Sequence, residues 1–252
     1  MLFRRNKAAP QPPPIRYTAP LEPRGFFSSG IPDLDGILGG GYRPGCVFAI
    51  EGDASTRSED FFLISLPSVL SFLAHGRGAL VVPPSGVAAA WIRNRAVRYV
   101  SEENFDTRVR VPDYTAIDLS APWLVPMARF GRSEAMRAMI SAERAVSGNP
   151  RGPYIELLAV DALESSVGPE VTAKMLTYGF TRTKEFGNLA IAWLRSSSAA
   201  RDVVVGTADG HLALSRDSRG TTVRGIKPEL APRLIEWTEA NGELRVSLGL
   251  PS

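Results

Sequence analysis

The chain of 252 residues holds one cysteine, Cys46, and two histidines, His75 and His211, far apart in sequence. A single thiol excludes a disulfide framework and a thiolate metal cluster. Two distant imidazoles argue against a histidine metal site and against a histidine-based triad, so no metal is expected. Cys46 sits in an apolar run and reads as a small core residue. No apolar run reaches the roughly 18 residues that a membrane span needs, and the amino terminus lacks the apolar stretch of a signal peptide. A cytoplasmic protein without membrane contact is expected. Neither sign of charge dominates: 29 Lys and Arg against 26 Asp and Glu leave +3, which permits nucleic-acid contact without demanding it. With 44% hydrophobic residues, a chain this long can bury one large core.

The most informative deficit is local. Residues 46–50 form an apolar strand candidate that runs into a polar turn at Gly52, and helix-compatible sequence follows Ser58. That is the setting in which GxxxxGK[ST] holds a nucleotide. Counted from Gly52 through Asp53, Ala54, Ser55 and Thr56, the second glycine falls on Arg57, the lysine on Ser58 and the magnesium-binding hydroxyl on Glu59. Arg57 is longer and planar and stands one position early, so it does not simply replace the lysine. Glu59 would aim a carboxylate at a triphosphate; at an effective dielectric near 20, like charges about 4 Å apart repel by roughly 4 kcal/mol. Glu59 also has a plain structural role, since acidic residues favour helix N-termini. The loop therefore predicts neither catalysis nor a cofactor. ATP with magnesium, held by backbone amides, is the disfavoured alternative.

Residues 1–24 are rich in proline and arginine and predict a disordered tail, either a solvated leader or a basic arm for a partner; residues 25–252 then form a single domain. Helices are expected over 60–74, with Pro67 as a kink, and over 87–100, with Trp91 and Ile92 inward. A long helical region over 123–146 has a break at Gly131. Apolar runs at 78–82, 154–160 and 188–194 read as buried parallel strands, with another strand at 108–111. A β-rich end begins at 203–205 and 211–214 and continues through 221–223, 234–237 and 244–248. Alternating strands and helices indicate an α/β, doubly wound, mostly parallel sheet with helices on both faces.

Residues 26–41 run Phe-Phe-Ser-Ser-Gly-Ile-Pro-Asp-Leu-Asp-Gly-Ile-Leu-Gly-Gly-Gly. This stretch resembles the "(S/T)GIPxLDxxLGGG" segment that leads into the nucleotide loop in the KaiC/RadA/RecA branch of P-loop ATPases. On its own physics, Ser29 reads as a helix cap, Leu34, Ile37 and Leu38 as an apolar stripe, and Gly39 to Gly41 as the helix end. The resemblance spans about residues 25–250 and implies a RecA-like fold. It places Asp161, after the apolar run 154–160, at the Walker B position. It also implies that catalytic glutamates should follow the strand at 78–82, where this chain has Pro83, Pro84 and Ser85. Lys227 and Arg224 lie near a basic element that family members extend toward a neighbour's phosphates, although Glu229 stands where its arginine would be. The DNA-contacting loops of recombinases correspond to 162–169 and 195–201, which carry few cations. Arg129, Arg132, Arg137 and Arg144 make a helical face interleaved with Glu134 and Glu143.

These features predict a catalytically inactive KaiC/RecA-like domain serving as an assembly or regulatory subunit, in rings or filaments with itself or with an active paralogue. A DNA-binding accessory protein of recombination is one alternative. The other is an ATPase with Arg57 at the phosphates and Asp161 on magnesium.

Overall fold

The computed structural model describes residues 15–114, 121–128, 131–148 and 152–250. A ten-stranded sheet runs in the order β10-β9-β8-β7-β1-β6-β5-β2-β3-β4. Its parallel part comprises β1 (Val47–Gly52), β2 (Gly78–Val82), β3 (Val109–Asp113), β4 (Leu124–Pro126), β5 (Tyr154–Ala159), β6 (Leu189–Arg195) and β7 (Gly210–Asp217). An antiparallel meander, β8 (Gly220–Lys227), β9 (Leu230–Ala240) and β10 (Glu243–Gly249), extends it from β7. Every residue of β2 and β5 is buried, which is why those strands read as unbroken apolar runs rather than alternating ones.

Helices α1 (Pro32–Ile37), α2 (Asp60–Ala74), α3 (Ala89–Ala96), α4 (Glu102–Arg108), α5 (Arg132–Ser147), α6 (Val160–Val167), α7 (Pro169–Phe186) and α8 (Arg201–Thr207) fill the connections. With this strand order, the general rule of right-handed crossovers assigns α2 to α4 to one face of the parallel part and α5 to α8 to the other. α2 has the bounds the sequence predicts and is buried almost all round, with Phe61, Ile64, Leu70 and Phe72 wholly inaccessible. Burial of each such side chain contributes about 1.5–3 kcal/mol. Pro67 lies inside this helix and has no N–H for the carbonyl of Leu63. The indole N–H of Trp237 on β9 donates to that carbonyl instead, at 2.8 Å.

Several expectations need correction. Residues 15–24 belong to the body, not to a tail: Glu22 makes a bidentate pair with Arg77 at 2.7 and 2.6 Å, and Tyr17 donates to the carbonyl of Pro67 at 3.3 Å. Residues 1–14 lie outside the described residues. Ser29 does not cap α1, whose N-cap is Ile31; its hydroxyl donates to the Ile31 carbonyl, and the Asp35 carboxylate accepts from its backbone N–H and from the Ser28 hydroxyl. The region 123–146 is strand β4 followed by α5, and 203–205 belongs to helix α8. Trp91 is exposed, with only Ile92 of the pair buried. Arg129 and the side chain of Arg132 lie outside the described residues.

Candidate functional site

Four parallel strands end side by side in the order β1-β6-β5-β2, and the polar residues just past their carboxyl ends converge. In open α/β sheets ligands bind in this place. β1 supplies Glu51 and Gly52, β6 supplies Arg195, β5 leads to Asp161, and β2 leads to Ser85. The strand ends thus bring together the loop 52–59 and Asp161.

Gly52 is packed too tightly for a side chain: a Cβ there would lie 2.2 Å from the ring of Trp193, which is fully buried. Beyond it the loop closes on itself. The N–H of Asp53 donates to the Leu214 carbonyl at 3.2 Å and that of Thr56 to the Asp53 carbonyl at 3.3 Å. The N–H of Ser55 donates to the Asp53 carboxylate at 2.8 Å, and that of Arg57 to the Asp60 carboxylate at 2.8 Å. Asp60, buried at the start of α2, also accepts from the Arg216 guanidinium and from the Thr221 hydroxyl. Its charge occupies the helix N-terminus, where an anion is otherwise favoured.

The loop's acceptors meanwhile face a cation. Arg195 Nη1 donates toward the carbonyls of Asp53 (3.0 Å) and Thr56 (2.7 Å) and toward Thr56 Oγ1 (2.7 Å), with its guanidinium 5.1 Å from the centre of the Trp193 ring. Ser58, in the lysine position, donates through its hydroxyl to the Ser85 carbonyl at 3.1 Å, while the Ser85 N–H donates to Asp161 Oδ2 at 3.2 Å. Ser85 therefore bridges the loop and the Walker B-like carboxylate. Asp161 Oδ1 is buried without a hydrogen-bond partner. Ala54, Arg57 and Glu59 are exposed.

The remaining predicted residues lie apart from this cluster. Lys227 donates to the Ala208 carbonyl at 3.0 Å, and Arg224 is exposed on β8. The segment 162–169, read from sequence as a loop, lies largely in α6. Of the arginines flanking 195–201, Arg195 is seated on the loop and Arg201 pairs with Glu51 at 2.9 and 3.0 Å. Sequence reasoning missed Glu51, His211, Asp60 and Arg216. The available signal was Glu51 itself, a carboxylate closing an otherwise apolar strand. His211 Nε2 lies 3.0 Å from Glu51. Burial pushes the Glu51 carboxyl up, but Arg201 and His211 outweigh it and hold it below the usual range. Burial lowers His211, against the pull of Glu51. Among the described residues no group of three or more His, Cys, Asp and Glu is placed to hold a metal ion, and no helix is long and apolar enough to cross a membrane.

This architecture is the KaiC/RecA-like P-loop ATPase fold. The KaiC-like protein PH0186 of Pyrococcus horikoshii OT3 superposes on 94% of this chain and over its own full length, with a TM-score of 0.63 at 13% identity. In sequence, residues 17–123 match the family described as GvpD basic region 2. Protein GvpD2 of Halobacterium salinarum is 35% identical over 89 residues, which make up 35% of this chain and 18% of that protein. Protein GvpD1 of the same organism is 34% identical over 85 residues, or 34% of this chain and 16% of its own length. The chain thus aligns with less than a fifth of each of these two curated relatives.

Proposed function

We propose that this chain is a catalytically inactive KaiC/RecA-like subunit with an assembly or regulatory role, acting as a homo-oligomer or beside an active paralogue. The observation that carries the reading is the loop's inverted hydrogen bonding. Four of its N–H groups donate to the protein's own acceptors, and its carbonyls accept from Arg195. A phosphate loop needs the opposite: free N–H groups aimed at the anion and a lysine on the β- and γ-phosphates. A triphosphate with its magnesium does not fit these residues, because the Asp60 carboxylate holds the helix N-terminus and Ser85 spans the gap between Ser58 and Asp161. No carboxylate follows β2 to activate water. ATP and magnesium are therefore not assigned as cofactors.

A nucleic-acid role has weaker support. Of the nine arginines in the stretch that matches the basic-region family, three are paired with carboxylates: Arg93 with Glu102 and Asp106, Arg98 with Glu239, and Arg77 with Glu22. Steady-state hydrolysis assays on the wild type and Asp161→Ala test the reading. The expected result is no turnover in either, whereas turnover that disappears in Asp161→Ala would overturn it.

A further inference from the structure

On the β7–β8 side of the loop lies a cleft of about 500 Å³ that the loop's own residues border through Gly52 and Asp53. Its size is that of a small-molecule site, for which about 300–1,000 Å³ is usual. Two arginines, Arg201 and Arg224, line it together with Ser196, Ser215 and Thr222 and the apolar Ile226 and Pro232. Arg201 is fixed from behind. Its Nε and Nη2 hold both oxygens of Glu51, and the buried His211 holds Glu51 from the far side. Its Nη1 makes no bond to Glu51 and has the exposed Asp202 carboxylate 3.7 Å away. A half-buried carboxylate held between an arginine and a histidine is costly to build, and here it orients one guanidinium at a surface cleft. Arg224 has no acidic partner among the described residues.

We propose that this cleft binds a small organic phosphate, with its phosphoryl oxygens on Arg201 and Arg224 and its hydroxyl-bearing body against Ser196, Ser215 and Thr222. The planar fork of a guanidinium matches phosphoryl oxygens. Serine and threonine hydroxyls both donate to and accept from a polyol, and the exposed Ile226 with Pro232 gives the body an apolar wall. A continuous nucleic-acid strand fits less well, because Asp53 and Asp202 place carboxylates at the rim. The site is separate from the anion position at the start of α2, so it stands or falls independently of whether the loop binds nucleotide.

Calorimetric titration of the full chain with glucose 6-phosphate, glucose and inorganic phosphate tests the proposal. Saturable binding of the sugar phosphate is expected, tighter than either of the other two. Arg224→Gln, an exposed change, should weaken it about tenfold, the loss of one charge-assisted contact. Arg245→Gln, an exposed change on β10, should leave it intact. Absence of saturable heat, equal affinity for glucose or inorganic phosphate, or indifference to Arg224→Gln would each overturn the assignment. So would displacement of the sugar phosphate by a single-stranded oligonucleotide at lower concentration. Binding of Mg-ATP that survives Arg224→Gln and is lost in Asp161→Ala would contradict the inactive-subunit reading alone.

Discussion

At the scale of single residues, the loop's fate turns on Arg195, one guanidinium that satisfies three acceptors. Its removal in Arg195→Ala strands the carbonyl of Thr56, while that of Asp53 keeps the Thr56 N–H and hydroxyl, and hydrogen bonds from a charged donor contribute about 1.5–3 kcal/mol. Because the arginine is half-exposed, a loss of about 1–2 kcal/mol is expected in denaturant unfolding; an unchanged midpoint would show that the contact is incidental. A second residue-scale feature lies at the opposite end of β5. Glu156 is buried, accepts from the Tyr154 hydroxyl at 2.8 Å, and lies near Glu143, which pairs with Arg182 at 3.2 Å. Burial first, and then the charge of Glu143, push its carboxyl up to about 8. In the unfolded chain it loses its proton near pH 4.5, so between about 4.5 and 8 the folded state holds the extra proton. Stability should therefore fall as pH rises through that window, by up to about 1.4 kcal/mol per pH unit for one proton. Glu156→Gln keeps an acceptor for Tyr154 and should flatten this slope, which unfolding midpoints measured from pH 5 to 8 would reveal. Cys46, pushed up to about 12 by burial and by Asp209, should resist alkylation at pH 8 until the chain unfolds.

At the scale of elements, Pro67 and Trp237 form a coupled pair. The proline leaves the Leu63 carbonyl without its helical donor and the indole of β9 supplies one, which ties the meander to α2. Trp237→Phe should cost about 1–2 kcal/mol from the orphaned carbonyl, and less in a Pro67→Ala background where the helix restores its own N–H. Equal costs in the two backgrounds would mean that the indole bond is unimportant. The elements also show how far sequence carries. Helix α2 and the strands β2, β5 and β6 are legible because long apolar runs bounded by turns leave few alternatives. Residues 203–205 are three valines, a strand signal by propensity, yet Val204 is buried on a short helix packed against α7; tertiary packing overrides the local preference. β4 has three residues and ends on Pro126, too short to interrupt the helical pattern that follows it. The candidate site was legible only in outline. Gly52, Asp161 and the missing lysine announce themselves by position, whereas Arg195 reaches its partners across about 140 positions of sequence. Nothing local to Arg195 tells a loop-seated arginine from a solvated one.

At the scale of the whole molecule, a KaiC/RecA-like core surrounds a loop four of whose N–H groups donate to the protein's own acceptors. The account expects assembly without hydrolysis: sedimentation at increasing concentration should show a species larger than the 27.2 kDa chain, or a partner should be recovered with it. A monodisperse monomer at every concentration, together with no partner, would count against the assembly role. The basic-region match and the KaiC-like architecture meet in one chain, and three of the nine arginines in the matched stretch, Arg77, Arg93 and Arg98, are paired with carboxylates. The most direct test of the central claim is calorimetric titration of the purified chain with Mg-ATP and Mg-ADP, because it asks whether the loop's N–H groups are available at all. The account predicts no heat beyond dilution for either nucleotide. Micromolar binding abolished by Asp161→Ala would contradict it and would return the loop to the nucleotide-binding members of its fold.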